Sequence, residues 1–218
     1  MRCIIYQNER QQEVNTMKKK QTGTRRLVLL AMLSGILLVM SFTPLGYLNI
    51  GPLAISLNMI PVAIGAVALG PGGGAFLGGV FGVTSCLQCV GIGGTSAMGV
   101  ILFEISPVLT IAQRLVTRIL AGWLTGIVYG QLHKRHVKLS AYIAGFGAAL
   151  FNTVFFMGAL VLLFGHTEYL QELIAGRNVF VFVITFVGIN ALVELFSTTV
   201  AAGAVCNALE KLKMIGGK

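Results

Sequence analysis

The stretch "EISPVLTIAQRLVTRILAGW", residues 104–123, decides how the chain is read. From Pro107 onward it is apolar except for a few polar side chains, and two of those are arginines. Arg114 and Arg118 fall one helical turn apart on the same face. A guanidinium is costly inside an apolar helix, so two of them there need a reason.

The surroundings make the setting a bilayer. Of 218 residues, 56% are hydrophobic and 11% charged, and the mean hydropathy is +0.85. Soluble domains carry about 25% charged residues, so this chain cannot cover a water-facing surface. The net charge of +9 gathers at Lys18–Lys20 with Arg25 and Arg26, at Lys134, Arg135 and Lys138, and at Lys211, Lys213 and Lys218. These clusters flank apolar segments, as topology signals do. No zinc finger, RNA-binding signature or aromatic-basic patch accompanies them, so no nucleic-acid partner is expected.

Six segments approach the ~20 apolar residues of a spanning helix: 25–42, 55–70, 72–90, 107–132, 139–165 and 179–207. The second and third meet at "LGPGGG", a tight hairpin around Pro71. An even number of spans puts both termini on one side, and all three basic clusters then share it, which makes it the cytoplasm. The expected fold is an all-α membrane protein, a six-transmembrane-helix bundle over 25–210. Residues 1–24 form a cytoplasmic N-terminal tail and 211–218 a basic cytoplasmic tail. "MKKKQTGTRR" starts afresh at Met17, so the polar piece before it is either a mis-assigned start or a disordered tail. "SFTPLGY" offers no A-x-A-like cleavage site, so 25–42 reads as a retained helix rather than a signal peptide.

The outer loops, 43–54, 91–106 and 166–178, are rich in Gly, Pro and apolar residues, as lids over a pocket would be. The third is more polar and suits a short helix. Small residues recur at i, i+4 in Gly74/Gly78/Gly82, Gly122/Gly126/Gly130, Ala141/Gly145/Ala149 and Ala31/Gly35. Such stripes let helix backbones approach closely. Internal packing accounts for most of them, whereas Ala31/Gly35 also suits a partner protein.

Counting ~1.5 Å per residue from Pro107, Arg114 lies about 10 Å and Arg118 about 16 Å from the outer face. On the sixth segment Asn190 and Glu194 come to about 16 and 22 Å, and Asn152 on the fifth to about 20 Å. Asn58 stands near the outer start of the second. An Arg118–Glu194 ion pair that fixes helix register would explain one arginine only. Two guanidinium groups and one carboxylate leave one positive charge for a monoanionic ligand, since guanidinium binds carboxylate as a bidentate fork. Arg114, nearer the entrance, is the preferred ligand residue. Tyr47 and Asn49 are lid candidates. Glu104 and Glu168 read as solvated, Trp123 as packing or lipid contact, and His133 and His136 as loop residues without a metal.

Cys86-Leu-Gln-Cys89 has redox or half-zinc spacing, but no second pair or nearby histidine completes a site. With Cys3 and Cys206 these are read as free thiols, the helical ones as small packing residues. No G-x-x-x-x-G-K-[ST], H-E-x-x-H or G-x-S-x-G occurs and aspartate is absent, so neither an enzyme nor a cofactor is expected.

The segment "LGYLNIGPLAISLNMIPVAIGAVALGPGGGAFLGGVFGVTS", residues 45–85, resembles substrate-binding S components of energy-coupling factor (ECF) vitamin transporters, most of all the pantothenate-type branch. "RLVTRILAGWLTGIVY" is a softer match. The resemblance implies six membrane helices around a vitamin pocket capped by outer loops. It also implies docking on a transmembrane coupling subunit driven by two ATPases, through small residues on the first helix. Here those are Ala31 and Gly35, with glycine where alanine is usual. Asn58 stands where the branch has histidine, and Gln113 where it has proline. Pantothenate, with one carboxylate plus hydroxyl and amide groups, would be satisfied by Arg114, Asn58, Asn152 and Asn190. The alternatives are a different vitamin or precursor, a self-sufficient transporter in which Glu194 carries a coupling proton, and a scaffold with a purely structural polar set.

Overall fold

The computed structural model describes residues 23–43, 46–49, 54–93, 96–134, 136–174 and 178–211. Most of the two proposed tails, residues 1–22 and 212–218, lies outside them. In chain order the elements are α1 (Gly23–Phe42), β1 (Tyr47–Asn49), β2 (Ala54–Ser56), α2 (Met59–Leu69), α3 (Pro71–Cys89) and α4 (Ala97–Ile105). They continue with α5 (Pro107–Leu132), α6 (Val137–Phe164), α7 (Glu168–Ile174) and α8 (Val179–Lys211). Among the described residues, α1, α5, α6 and part of α8 are long and apolar enough to cross a bilayer.

The expected second and third spans take a different form. Residues 54–56 pair as a strand with 47–49, Tyr47 opposite Ser56, instead of extending the helix that follows. That leaves α2 with 11 residues, about 16 Å at ~1.5 Å per residue. It is buried along nearly its whole length and packs against α3, α5, α6 and α8, so it needs no lipid-facing side. α3 has 19 residues but is glycine-rich, which lowers its hydropathy. The turn between them uses Gly70 at φ 80, a left-handed conformation that suits glycine, and Pro71 at the first helical position.

Backbone contact between α3 and α5 sets the register of the bundle. A methyl group on Gly74 would lie 2.2 Å from the Gly122 carbonyl oxygen, and one on Gly78 would lie 2.2 Å from that of Arg118. One on Gly82 would meet Leu115. The two helices therefore run antiparallel with 74 opposite 122 and 78 opposite 118. Gly74, Gly78, Gly82, Gly122 and Gly126 are internal packing, whereas Gly130 is exposed and a methyl group there would meet nothing. Gly145 does the same on α6 against Thr198 of α8.

The loops at the end of the bundle where α5 begins are more structured than expected. The first is the β-hairpin, and the second holds α4, whose N-terminus is capped by the Ser96 hydroxyl accepting from the Gly99 amide at 3.3 Å. The third holds α7, the short helix the sequence suggested. Met98 and Leu102 of α4, Met157, Leu160 and Phe164 of α6, and Leu170 and Ile174 of α7 form a second core at this cap end. Thr110 closes the α4–α5 corner by donating to the Leu102 carbonyl at 2.7 Å.

Large apolar side chains remain exposed on the bundle, among them Leu27, Met32, Val39, Leu162 and Phe196, together with Trp123. They fit a lipid-facing belt.

Gly78→Ala should lower the thermal unfolding midpoint in detergent, with an overpacking cost of about 1–3 kcal/mol. Gly130→Ala, where a methyl group would meet nothing within 4 Å, should leave the midpoint unchanged or slightly raised.

Candidate functional site

The inward face of α5 carries Thr110, Gln113, Arg114, Thr117, Arg118, Ala121, Gly122, Thr125 and Gly126, a stripe at helical spacing that is polar in its cap-end half. Positions 114, 118, 122 and 126 turn toward α3, and Gln113 turns toward α6. The two arginines thus sit inside the protein, 4% and 6% exposed.

Their surroundings differ. Arg118 lies over the Phe81 ring, 3.8 Å from its centroid, and donates from Nη1 to the Phe81 carbonyl at 3.2 Å. Its charge also acts on Glu194. Arg114 donates from Nη1 to the Ser85 hydroxyl and from Nη2 to the Ser96 hydroxyl at 3.2 Å. The Phe156 ring centroid is 5.9 Å from its Cζ. Nε of Arg114 has no partner among the described residues, and every group that Arg114 does touch is uncharged. Ser96 is also the cap of α4, so the guanidinium stands beside that helix's N-terminus. A methyl group on Gly99 would come within 2.4 Å of its Nη2.

Glu194 is buried on α8, and its Oε1 accepts from Asn152 Nδ2 of α6 at 3.1 Å. Gln113 Nε2 donates to the Phe156 carbonyl at 3.4 Å. Asn152 is one turn from Phe156, as Thr117 is from Gln113, so Asn152 and Glu194 lie near the level of Arg118. Val62 of α2 touches Gly122, and Asn58, one turn earlier, also comes near that level. The polar set has two tiers, separated by about 6 Å along the axis. The deeper holds Arg118, Asn152, Glu194 and Asn58; the shallower holds Arg114, Gln113, Ser85 and Ser96.

Asn58 is fully buried at the start of α2 and makes no capping bond. Neither its Oδ1 nor its Nδ2 has a partner among the described residues. Its Oδ1 lies 2.9 Å from where a methyl group on Gly46 would stand, so the first cap loop rests on it. Tyr47 and Asn49 belong to β1 and Asn190 to α8, one turn from Glu194, but all three side chains lie outside the described residues. Ala31 and Gly35 are exposed on α1, while Leu33 and Leu37 face inward. Glu104 and Glu168 are exposed. Cys89 is buried at the end of α3, its Sγ 3.3 Å from the Ser85 carbonyl.

Sequence reasoning did not place Ser85 or Ser96 in the site, and it singled out Gln113 only as a departure from the family pattern. Ser85 was within reach, because it continues the Gly74/Gly78/Gly82 stripe by three residues. Ser96 was not, because its position depends on α4 folding back over α5.

The sequence profile described as "ECF transporter, substrate-specific component" matches residues 25–203, from α1 through most of α8. The chain belongs to this family. A pantothenic acid transporter, PanT, from Lactococcus lactis subsp. cremoris (strain MG1363) is 26% identical over 205 residues. The match covers 89% of this chain and 98% of that relative. The family and this relative are transport proteins rather than enzymes, and this substrate-specific component is a multi-pass membrane protein.

The α6–α8 contact of this component gives a test. Asn152→Leu removes the donor to a buried carboxylate, a bond worth about 1.5–3 kcal/mol when one partner is charged. The detergent midpoint should fall, and adding Glu194→Gln should recover part of the loss. Additive losses in the double variant would contradict the contact.

Proposed function

We propose that this S component binds a small monocarboxylate vitamin, pantothenate, at the cap end and delivers it inward through an ECF coupling subunit and two ATPases. One observation carries the reading. Among the described residues, Arg114 is buried beside the N-terminus of α4, its partners are all neutral, and its Nε has none. Two positive potentials side by side favour an anion between them. One carboxylate supplies one negative charge and accepts a guanidinium fork. Arg118, with Phe81 and Glu194 around it, holds the deeper tier in shape.

The rest of pantothenate offers hydroxyl and amide groups, matched by Asn58 and the open Oδ1 of Asn152. The proposed lining extends to Asn190, one turn from Glu194 on α8, and to Tyr47 and Asn49 on β1. The name of the Lactococcus relative favours pantothenate over another vitamin. In this reading the cap faces outward, α1, α2, α3, α5, α6 and α8 are the six membrane segments, and both termini are in the cytoplasm of a cell with this protein in its plasma membrane. The coupling subunit docks on α1, where Ala31 and Gly35 are exposed and a methyl group on Gly35 would meet nothing within 4 Å.

A thermal-shift panel of water-soluble vitamins on the purified chain tests the ligand. Pantothenate at a hundred times its Kd should add about 2.7 kcal/mol of stability, and Arg114→Ala should abolish that response. A response to another vitamin alone, or an unchanged Kd in Arg114→Ala, would reject the assignment.

Gly35→Phe tests the docking face. It should leave pantothenate binding intact and remove ATP-dependent uptake in vesicles containing the coupling subunits. Proton-gradient-driven uptake by the chain alone would instead identify a self-sufficient transporter using Glu194.

A further inference from the structure

Gln113 is 1% exposed, and its two amide corners have different fates. One faces the Phe156 carbonyl at 3.4 Å. A carbonyl oxygen only accepts, so that corner is the NH2 group and the other is oxygen. That oxygen, Oε1, is buried and has no partner among the described residues. The neighbouring Arg114 reaches the ring of the same Phe156, and its Nε is a donor with no partner among the described residues. Two consecutive residues of α5 thus each carry a buried unpartnered polar atom, one an acceptor and one a donor. Both side chains approach Phe156, Gln113 at its carbonyl and Arg114 at its ring.

We infer that Gln113 is a specificity residue, whose Oε1 accepts a hydrogen from a neutral O–H or N–H of the ligand while Arg114 holds its carboxylate. This deepens the monocarboxylate reading and rests on it. A buried acceptor left open lowers the stability of the empty protein and is satisfied only when a donor arrives. A site built this way rejects an acid of the same shape that lacks the donor, because binding it would bury the oxygen without a partner for good.

The test pairs one variant with three ligands on the full-length chain in detergent. Gln113→Met keeps the length of the side chain and removes both polar corners. The probes are pantothenate, its dideoxy analogue (both hydroxyls replaced by hydrogen), and its ester analogue (amide N–H replaced by oxygen). The wild type should bind one analogue about tenfold or more weakly than pantothenate. Gln113→Met should bind pantothenate about tenfold more weakly than the wild type, yet bind that analogue as the wild type does. The dideoxy arm identifies a hydroxyl as the donor, and the ester arm the amide N–H. Without ligand, Gln113→Met should unfold at the wild-type temperature or above, whereas a purely structural glutamine would lower it. Wild-type affinity in the variant, equal losses for all three probes, or a lowered midpoint without ligand would each overturn the inference. Failure of the wild type to bind pantothenate would instead overturn the proposed function beneath it.

Discussion

A guanidinium inside an apolar bundle constrains everything placed around it. It needs acceptors for its hydrogens, a face or an opposite charge for its cation, and no lipid within reach. The chain meets this requirement twice on α5, in different ways. Arg118 has an aromatic face, a backbone carbonyl and the field of Glu194. Arg114 has two hydroxyls and a more distant ring. The first environment sets an aromatic face, a carbonyl and a nearby acidic side chain against the charge, and the second sets only neutral groups against it.

Such placement depends on backbones that nearly touch. Where Gly74 and Gly78 of α3 meet Gly122 and Arg118 of α5, no side chain intervenes, so the helices cannot slide without collision. That locked register lifts Ser85 to the height of Arg114 and Phe81 to that of Arg118. α2, shortened by the β-hairpin, fills the centre and brings Asn58 to the deeper tier without facing lipid. Small residues therefore act on function here through geometry, by fixing which polar groups share a level.

Much of this was legible in the sequence because it follows from periodicity and charge. α5 begins and ends where the apolar run predicts, at Pro107 and Leu132. Gly74, Gly78, Gly82, Gly122 and Gly126 pack as their spacing suggests, while Gly130 does not. Asn152 and Glu194, which counting puts within about 2 Å of each other in depth, are in contact. What was not legible depends on tertiary choices with weak local signals. Residues 54–56 are as apolar as the helix they precede, and only their pairing with 47–49 makes them a strand. Residues 91–106 suit a lid by composition but carry no clear helical pattern, yet Ser96 caps α4 and Met98 and Leu102 anchor it to α6 and α7. Ser96 reaches Arg114 only because of that fold-back, which no spacing rule encodes.

The choice of serine at Arg114 also carries chemical meaning. A carboxylate partner would fix the guanidinium and cancel its charge, whereas a hydroxyl accepts from it and keeps a rotatable hydrogen of its own. When an anion arrives, Ser85 and Ser96 can turn that hydrogen toward it while still accepting from the arginine. The same neutral shell therefore suits both the empty and the filled site. Arg114 Nε, Gln113 Oε1, Asn152 Oδ1 and both amide atoms of Asn58 are buried without partners among the described residues. Burying so many open polar atoms is unfavourable in a protein that only needs to fold. Under the proposed function it is coherent, because each such atom that a ligand meets adds to the stability of the loaded protein.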